Sequence, residues 1–237
     1  MKKAVLFLLC AVCVSFTISA AALSAAPETR PIEQEECDRL RRSVGITALD
    51  QEPNILSLTG FDIRADGAVL LGTDDPQKTV AAYAQDGTFL FGFTFRCSGG
   101  HGVKWDDDGR VLLYLVRSDV VLTVDRAGNV LNAVELPTDN AENAAYVREE
   151  WLPKKRVIDG TAYRLKKRNG ILGVFLPNYA ELVRIDEAGE EQIVIDLRAE
   201  HRLSAVPAIA VSAVFIALLL LLVFGNRAQA LQPKKRR

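Results

Sequence analysis

The stretch GVKWDDDGRVLLYLVRSDVVLTVDRAGNVLNAVEL, residues 102 to 136, decides how the chain is read. Short apolar runs alternate with polar breaks, and two of the breaks end in glycine, at Gly109 and Gly128. Runs of this length, rich in β-branched residues and punctuated by turn residues, are strands. The stretch is therefore four strands joined as two hairpins.

The same plan recurs on both sides, in FDIRADGAVLLGTDDPQKTVAAYAQDGTFLFGFTF (61 to 95) and in AYRLKKRNGILGVFLPNYAELVRIDEAGEEQIVIDL (162 to 197). The turn glycines are Gly67, Gly87, Gly109, Gly128, Gly170 and Gly189, and the first four fall 19 to 22 residues apart. A short hairpin loop needs a positive φ, which glycine adopts without steric cost. In TFLFGFTF, Phe89, Phe91, Phe93 and Phe95 occupy alternate positions, which places all four on one face of a regular strand. The segment SVGITALDQEPNILSLTG (43 to 60) adds extra strands to this set or caps one of its edges.

Asp106, Asp107 and Asp108 read as a turn. A calcium loop needs spaced ligands, and three consecutive aspartates cannot all address one ion. Aspartate suits a turn because its carboxylate accepts nearby backbone N–H groups. In this alignment the cluster occupies the slot of Arg64-Ala65-Asp66 in the first unit and Lys167-Arg168-Asn169 in the third.

Units of four antiparallel strands with this hairpin rhythm resemble the blades of β-propellers of the NHL, WD40 or quinoprotein-like kind. Trp105-Asp106 is not the WD40 signature, because no Gly-His partner precedes it at the proper distance. The D-x-x-G turns and the VRSD stretch at 116 to 119 are also similar to uncharacterised single-pass membrane proteins of Gram-positive gut bacteria. The expected fold is an all-β ectodomain of three blade-like repeats, 61–96, 102–136 and 162–197, forming a partial β-propeller or stacked sheets. Closed propellers have four blades or more, so three units form an open assembly or close by oligomerising.

The chain ends place this domain. Residues 1–26 carry Lys2 and Lys3, an apolar run and small residues, the layout of a signal peptide cleaved near Ala20-Ala22 or of an uncleaved anchor. Residues 203–225 hold no charge, long enough for a transmembrane helix, and the tail 226–237 is basic, which orients it to the cytoplasm. The region 27–202, a lead-in at 27–60 followed by the repeats at 61–202, is then extracytoplasmic at the cell membrane. It carries all 30 acids against 22 Lys and Arg, a net charge of −8, which argues against nucleic acid as a partner. Between the second and third repeats, 137–160 is expected as a helical insertion, capped by Asp139 or Asn140 and ended by Pro153.

Cys37 and Cys97 remain once the leader is set aside, either as a disulfide or as two separately buried thiols. No metal-ligand spacing is present and no cofactor is expected. His101, in SGGHG, reads as a loop residue. The most informative polar positions are the mid-repeat breaks: Asp74, Asp75 and Lys78, then Arg117 and Asp119, then Asn178 and Tyr179. Equivalent loops of successive units emerge on one side, so these residues line a shared binding surface, or they are local turns with a surface ion pair between Arg117 and Asp119. The leading expectation is a membrane-anchored, non-catalytic binding or scaffold module for a protein or envelope component. The alternative is an envelope lyase or hydrolase using loop carboxylates and His101.

Overall fold

The computed structural model describes residues 27–74, 77–158, 160–167, 179–198, 210–211 and 213–216. The chain opens with strand β1 (Arg30–Pro31), helix α1 (Gln34–Val44) and strand β2 (Thr47–Ala48). The first unit is β3 (Gly60–Ile63), β4 (Val69–Thr73), β5 (Thr79–Tyr83) and β6 (Phe89–Thr94). The second is β7 (His101–Trp105), β8 (Val111–Leu115), β9 (Val120–Val124) and β10 (Val130–Glu135). Helix α2 (Ala141–Tyr146) continues as a π-helical turn, Val147–Trp151, and leads to β11 (Lys155–Ile158), β12 (Thr161–Lys166), β13 (Glu181–Ile185) and β14 (Glu191–Asp196).

Each unit is an antiparallel meander, and the fold is all-β with few helices. The sheet of the first unit lies between the other two. Side chains alternate across a strand, so Leu70, Val80, Ala82 and Phe93 face the second sheet and share a core with Val103, Leu113 and Leu122. Their neighbours Val69, Leu71, Ala81 and Tyr83 face the opposite way and pack with Leu165 and Leu182 of the third sheet. Coverage on both faces explains why β4 and β5 are buried along their whole length. The far face of the second sheet, at Tyr114 and Val121, is covered by Val147 and Trp151 of the π-helical turn.

Five hairpin turns share one geometry, running from Arg64, Ala84, Asp106, Asp125 and Asp186. In each, the first residue's N–H bonds the carbonyl four residues on, and the glycine N–H returns to the first carbonyl. The five glycines have φ between +72° and +87°. Asp106 accepts N–H bonds from Asp108 and Arg110 at 3.0 and 2.7 Å, so the acidic cluster is a turn. Among the described residues no group of His, Cys, Asp and Glu is arranged to hold a metal ion.

Three sequence expectations are corrected. Phe89 does not share a face with Phe91, Phe93 and Phe95: Tyr83 pairs with Phe89 while Ala82 pairs with Phe91, a β-bulge at Leu90 that flips the alternation. Phe89 consequently packs toward the third sheet and Phe91 toward the second. Bulges recur at Leu131 and Val194, and all three extra residues are exposed. The third unit is framed differently from its alignment. Its first strand, β11, lies within the segment 137–160 expected as a helical insertion, and it joins β12 through a tight turn containing Gly160 at φ +78°. β12 also pairs with β13, so Lys167 follows the second strand of the unit and not the first, unlike Asp106. Gly170 lies outside the described residues.

The lead-in closes two open edges. β1 pairs with β10 of the second unit, β2 with β6 of the first, and α1 carries Cys37 and Val44 into the core between them. Cys37 and Cys97 are free thiols, not a disulfide. Cys37 is packed in the core, while the Cys97 Sγ points to the Gly99 carbonyl at 3.8 Å and its thiol is raised by burial.

The apolar runs 1–26 and 203–225 lie outside the described residues except for 210–211 and 213–216, which are helical. Val211, Val214, Phe215 and Ile216 are exposed there. No helix among the described residues is long and apolar enough to cross a membrane.

Candidate functional site

The mid-unit loops of the first two units meet around the link between them, residues 95–100. Lys78 Nζ donates to Asp74 Oδ1 at 2.8 Å and to the Gly99 carbonyl at 2.7 Å, tying the β4–β5 loop to that link. His101 is the first residue of β7 and is buried, which corrects its reading as a loop residue. Its ring stands edge-on to Phe95, with centroids 4.9 Å apart, and its Nδ1 lies 3.1 Å from Asp74 Oδ1. The contact falls short of an aligned hydrogen bond. The imidazole and the Lys78 ammonium hold Asp74 down to about 2.

Arg117 sits in the β8–β9 turn and is exposed. The neighbouring Asp119 adopts φ +51°. This conformation, tolerated by aspartate better than by most residues, turns the carboxylate inward, where it accepts from Tyr114 Oη at 2.7 Å and Thr138 Oγ1 at 3.1 Å. The expected surface ion pair between Arg117 and Asp119 is not formed, because Asp119 is committed to holding the second unit to the chain that leaves it.

Arg117 instead lines a groove of about 480 Å³ between α1 and the loops. Leu40 and Val44 of α1 and Leu115 of β8 form its apolar part, and Arg96 lines it together with Arg117. Beside the groove the link passes close to the β8–β9 turn: a Cβ at Gly99 would lie 3.5 Å from that of Arg117. Among the described residues, neither Arg96 nor Arg117 is in an ion pair.

Of the sequence-derived positions, Asp74, Lys78 and Arg117 are thus brought to one region, and among the described ones only Arg117 lines the groove. Tyr179 lies elsewhere, bridged through its backbone to Leu58, with the Lys167 ammonium 5.6 Å from its ring centre. Asp75 and Asn178 lie outside the described residues. Of the carboxylates of the enzyme reading, the Asp106 turn is not assembled with the histidine: His101 and Asp106 stand at opposite ends of β7, roughly 16 Å apart at about 3.3 Å per residue, and the loop carboxylate that His101 meets is Asp74.

A second polar cluster, not read from the sequence, lies where the first strands of the three units approach. Asp62 of β3 accepts from the Trp105 N–H at 2.7 Å and faces Arg156 of β11. Arg156 donates to the Glu150 carbonyl at 2.5 Å, and Lys104 pairs with the Glu150 carboxylate at 2.7 Å. The available signal was the position of Asp62 between Phe61 and Ile63: a charge inside a strand buried on both faces requires a partner.

No known protein family matches the chain, and no curated protein sequence is similar to it. Among the solved structures with a partial likeness are two examples. One is a protein of unknown function from Bacteroides caccae, with 15% identity and a TM-score of 0.30, covering 56% of this chain and 44% of that one. The other is the virginiamycin B lyase of Staphylococcus aureus, with 12% identity and a TM-score of 0.27, covering 62% and 44%. This chain therefore spans less than half the length of either, and neither likeness bears on its fold or activity.

Proposed function

We propose that the chain is a membrane-anchored extracytoplasmic module, built as a partial propeller of three blade-like units, that binds a protein or envelope component without catalysing a reaction. The observation that carries this reading is the groove itself: two exposed arginines beside an apolar surface, with no acidic partner among the described residues. Cations left uncompensated beside an apolar surface suit recognition, since a partner supplies the missing charge. The anchoring half of the proposal rests on the uncharged run 203–225 with its basic tail, and on the exposed apolar side chains from Val211 to Ile216.

The test is a capture experiment on cross-linked membranes. A partner retained by the unaltered chain and lost with Arg117→Ala supports the proposal. Capture that is indifferent to Arg117 removes the groove from it. For topology, a reporter fused after Arg237 should be active in the cytoplasm while added protease digests the 27–202 region of intact protoplasts, and protection of that region would invert the anchoring model.

A further inference from the structure

We infer that the groove between α1 and the loops of the first two units binds a small amphiphilic anion, or a group of that chemistry on a larger partner: a carboxylate or phosphate head on a short apolar body. The inference rests on the binding reading above and specifies its ligand.

Four observations converge. First, charge in the groove is one-sided. Among the described residues, Arg96 and Arg117 line it with no acidic side chain, although the 27–202 region is acidic in composition. Second, two carboxylates of the mid-unit loops are already engaged. Asp74 pairs with the Lys78 ammonium and contacts the His101 ring, and Asp119 accepts from Tyr114 and Thr138. Neither is free to pair with the two guanidinium groups. Third, Ser98 also lines the groove, adding a hydroxyl donor that suits an oxyanion, whereas Ser43 and Ser118 donate theirs to the Leu40 and Leu115 carbonyls. Fourth, Leu40, Val44 and Leu115 give the ligand's body an apolar contact. The volume of about 480 Å³ falls within the ordinary range for small-molecule sites.

Guanidinium forks match planar carboxylates and phosphates through paired N–H donors, and a bare cation would be repelled by both. The two arginines come from separate segments, Arg96 after β6 and Arg117 after β8, so a ligand held between them also fixes the first unit against the second.

Calorimetry on the full chain in nanodiscs of neutral phosphatidylcholine, with three ligands sharing one ring, tests the inference. Benzoate and phenyl phosphate carry the anionic heads, and benzyl alcohol is the neutral control. At least one anion should bind roughly tenfold more tightly than benzyl alcohol, the scale of one charge-assisted contact. Which anion does so separates a carboxylate source from a phosphate source. Arg96→Gln and Arg117→Gln should each remove that preference with the melting temperature unchanged, while Arg148→Gln, far from the groove and exposed, should retain it. Equal binding of benzyl alcohol and both anions, or a preference that survives both substitutions, overturns the inference. Arg117-dependent capture of a partner from membranes alongside such a result would leave the binding function standing and refute only the anionic ligand.

Discussion

Asp62 and Arg156 meet as a buried pair, Oδ1 to Nε at 3.3 Å, with side chains 10% and 11% exposed. They come from the first strands of the first and third units, and the other Asp62 oxygen holds the Trp105 N–H of the second. One carboxylate therefore joins all three units. Burial pushes the Asp62 carboxyl up, and Arg156 is the largest influence opposing it.

Removing Arg156 should be costly in a pH-dependent way. Arg156→Met leaves Asp62 charged and buried, and breaking such a pair typically costs about 3 to 5 kcal/mol. A carboxyl whose folded value lies above its ordinary 3.8 contributes stability that is full below that value and is lost as pH rises through the folded one. The Arg156→Met deficit should therefore narrow between pH 7 and pH 4, and Asp62→Asn in the same chain should restore most of it. Equal deficits at both pH values in urea melts would contradict this account.

Asp74 has the opposite sign. Its carboxyl sits at about 2, below the ordinary 3.8. Its stabilising contribution is present above pH 3.8 and disappears as pH falls through about 2. Asp74→Asn should lower the melting temperature at pH 6 and make progressively less difference on acidification. A deficit that persists at pH 2 would show that the charge is irrelevant.

Gly102→Ala should destabilise by about 1 to 3 kcal/mol, the usual cost of overpacking. Its Cβ would stand 2.5 Å from the Trp151 carbonyl, a backbone atom with no rotamer to give. Gly189→Ala, with nothing within 4 Å, incurs only the strain of φ +83°, on the order of 1 kcal/mol. Chemical denaturation of both variants checks the order.

Arg117→Ala and Asp119→Ala, two residues apart, should behave differently. Arg117 is exposed and unpaired among the described residues, so its loss should leave the melting temperature within a degree or so, as for surface substitutions generally. Asp119→Ala strands the Tyr114 and Thr138 hydroxyls and places alanine at φ +51°, at a cost of about 1 to 3 kcal/mol. Differential scanning calorimetry reads both, and equal shifts would refute the division of labour.

The strands of the first two units were legible because alternation, β-branching and glycine-ended turns all agree there. The third unit was misframed at KKRVIDG: Val157 and Ile158 are adjacent, so no period-two alternation marks β11, and its basic residues hide it. The bulge at Leu90 was also illegible. An inserted residue that reverses side-chain alternation leaves TFLFGFTF looking regular in sequence. At the site, Arg117 was visible as an interruption between two apolar runs, but Arg96 was not. Its partnership with Arg117 depends on how α1 lies across both units, a relation that no local pattern encodes.

The pairing of β1 with β10 sets the order in which the chain can assemble. Arg30 and Glu135 are more than a hundred residues apart in sequence, whereas neighbouring strands inside the first two units are joined by short turns. Loop-closure entropy makes such distant contacts slow to form. A chain emerging from its N-terminus must carry residues 30–48 unpaired until β6 and then β10 have formed. The lead-in therefore works as a latch that closes late, and a chain lacking residues up to Ala48 would present the outer backbones of β6 and β10 as bare edges, open to pairing with other chains.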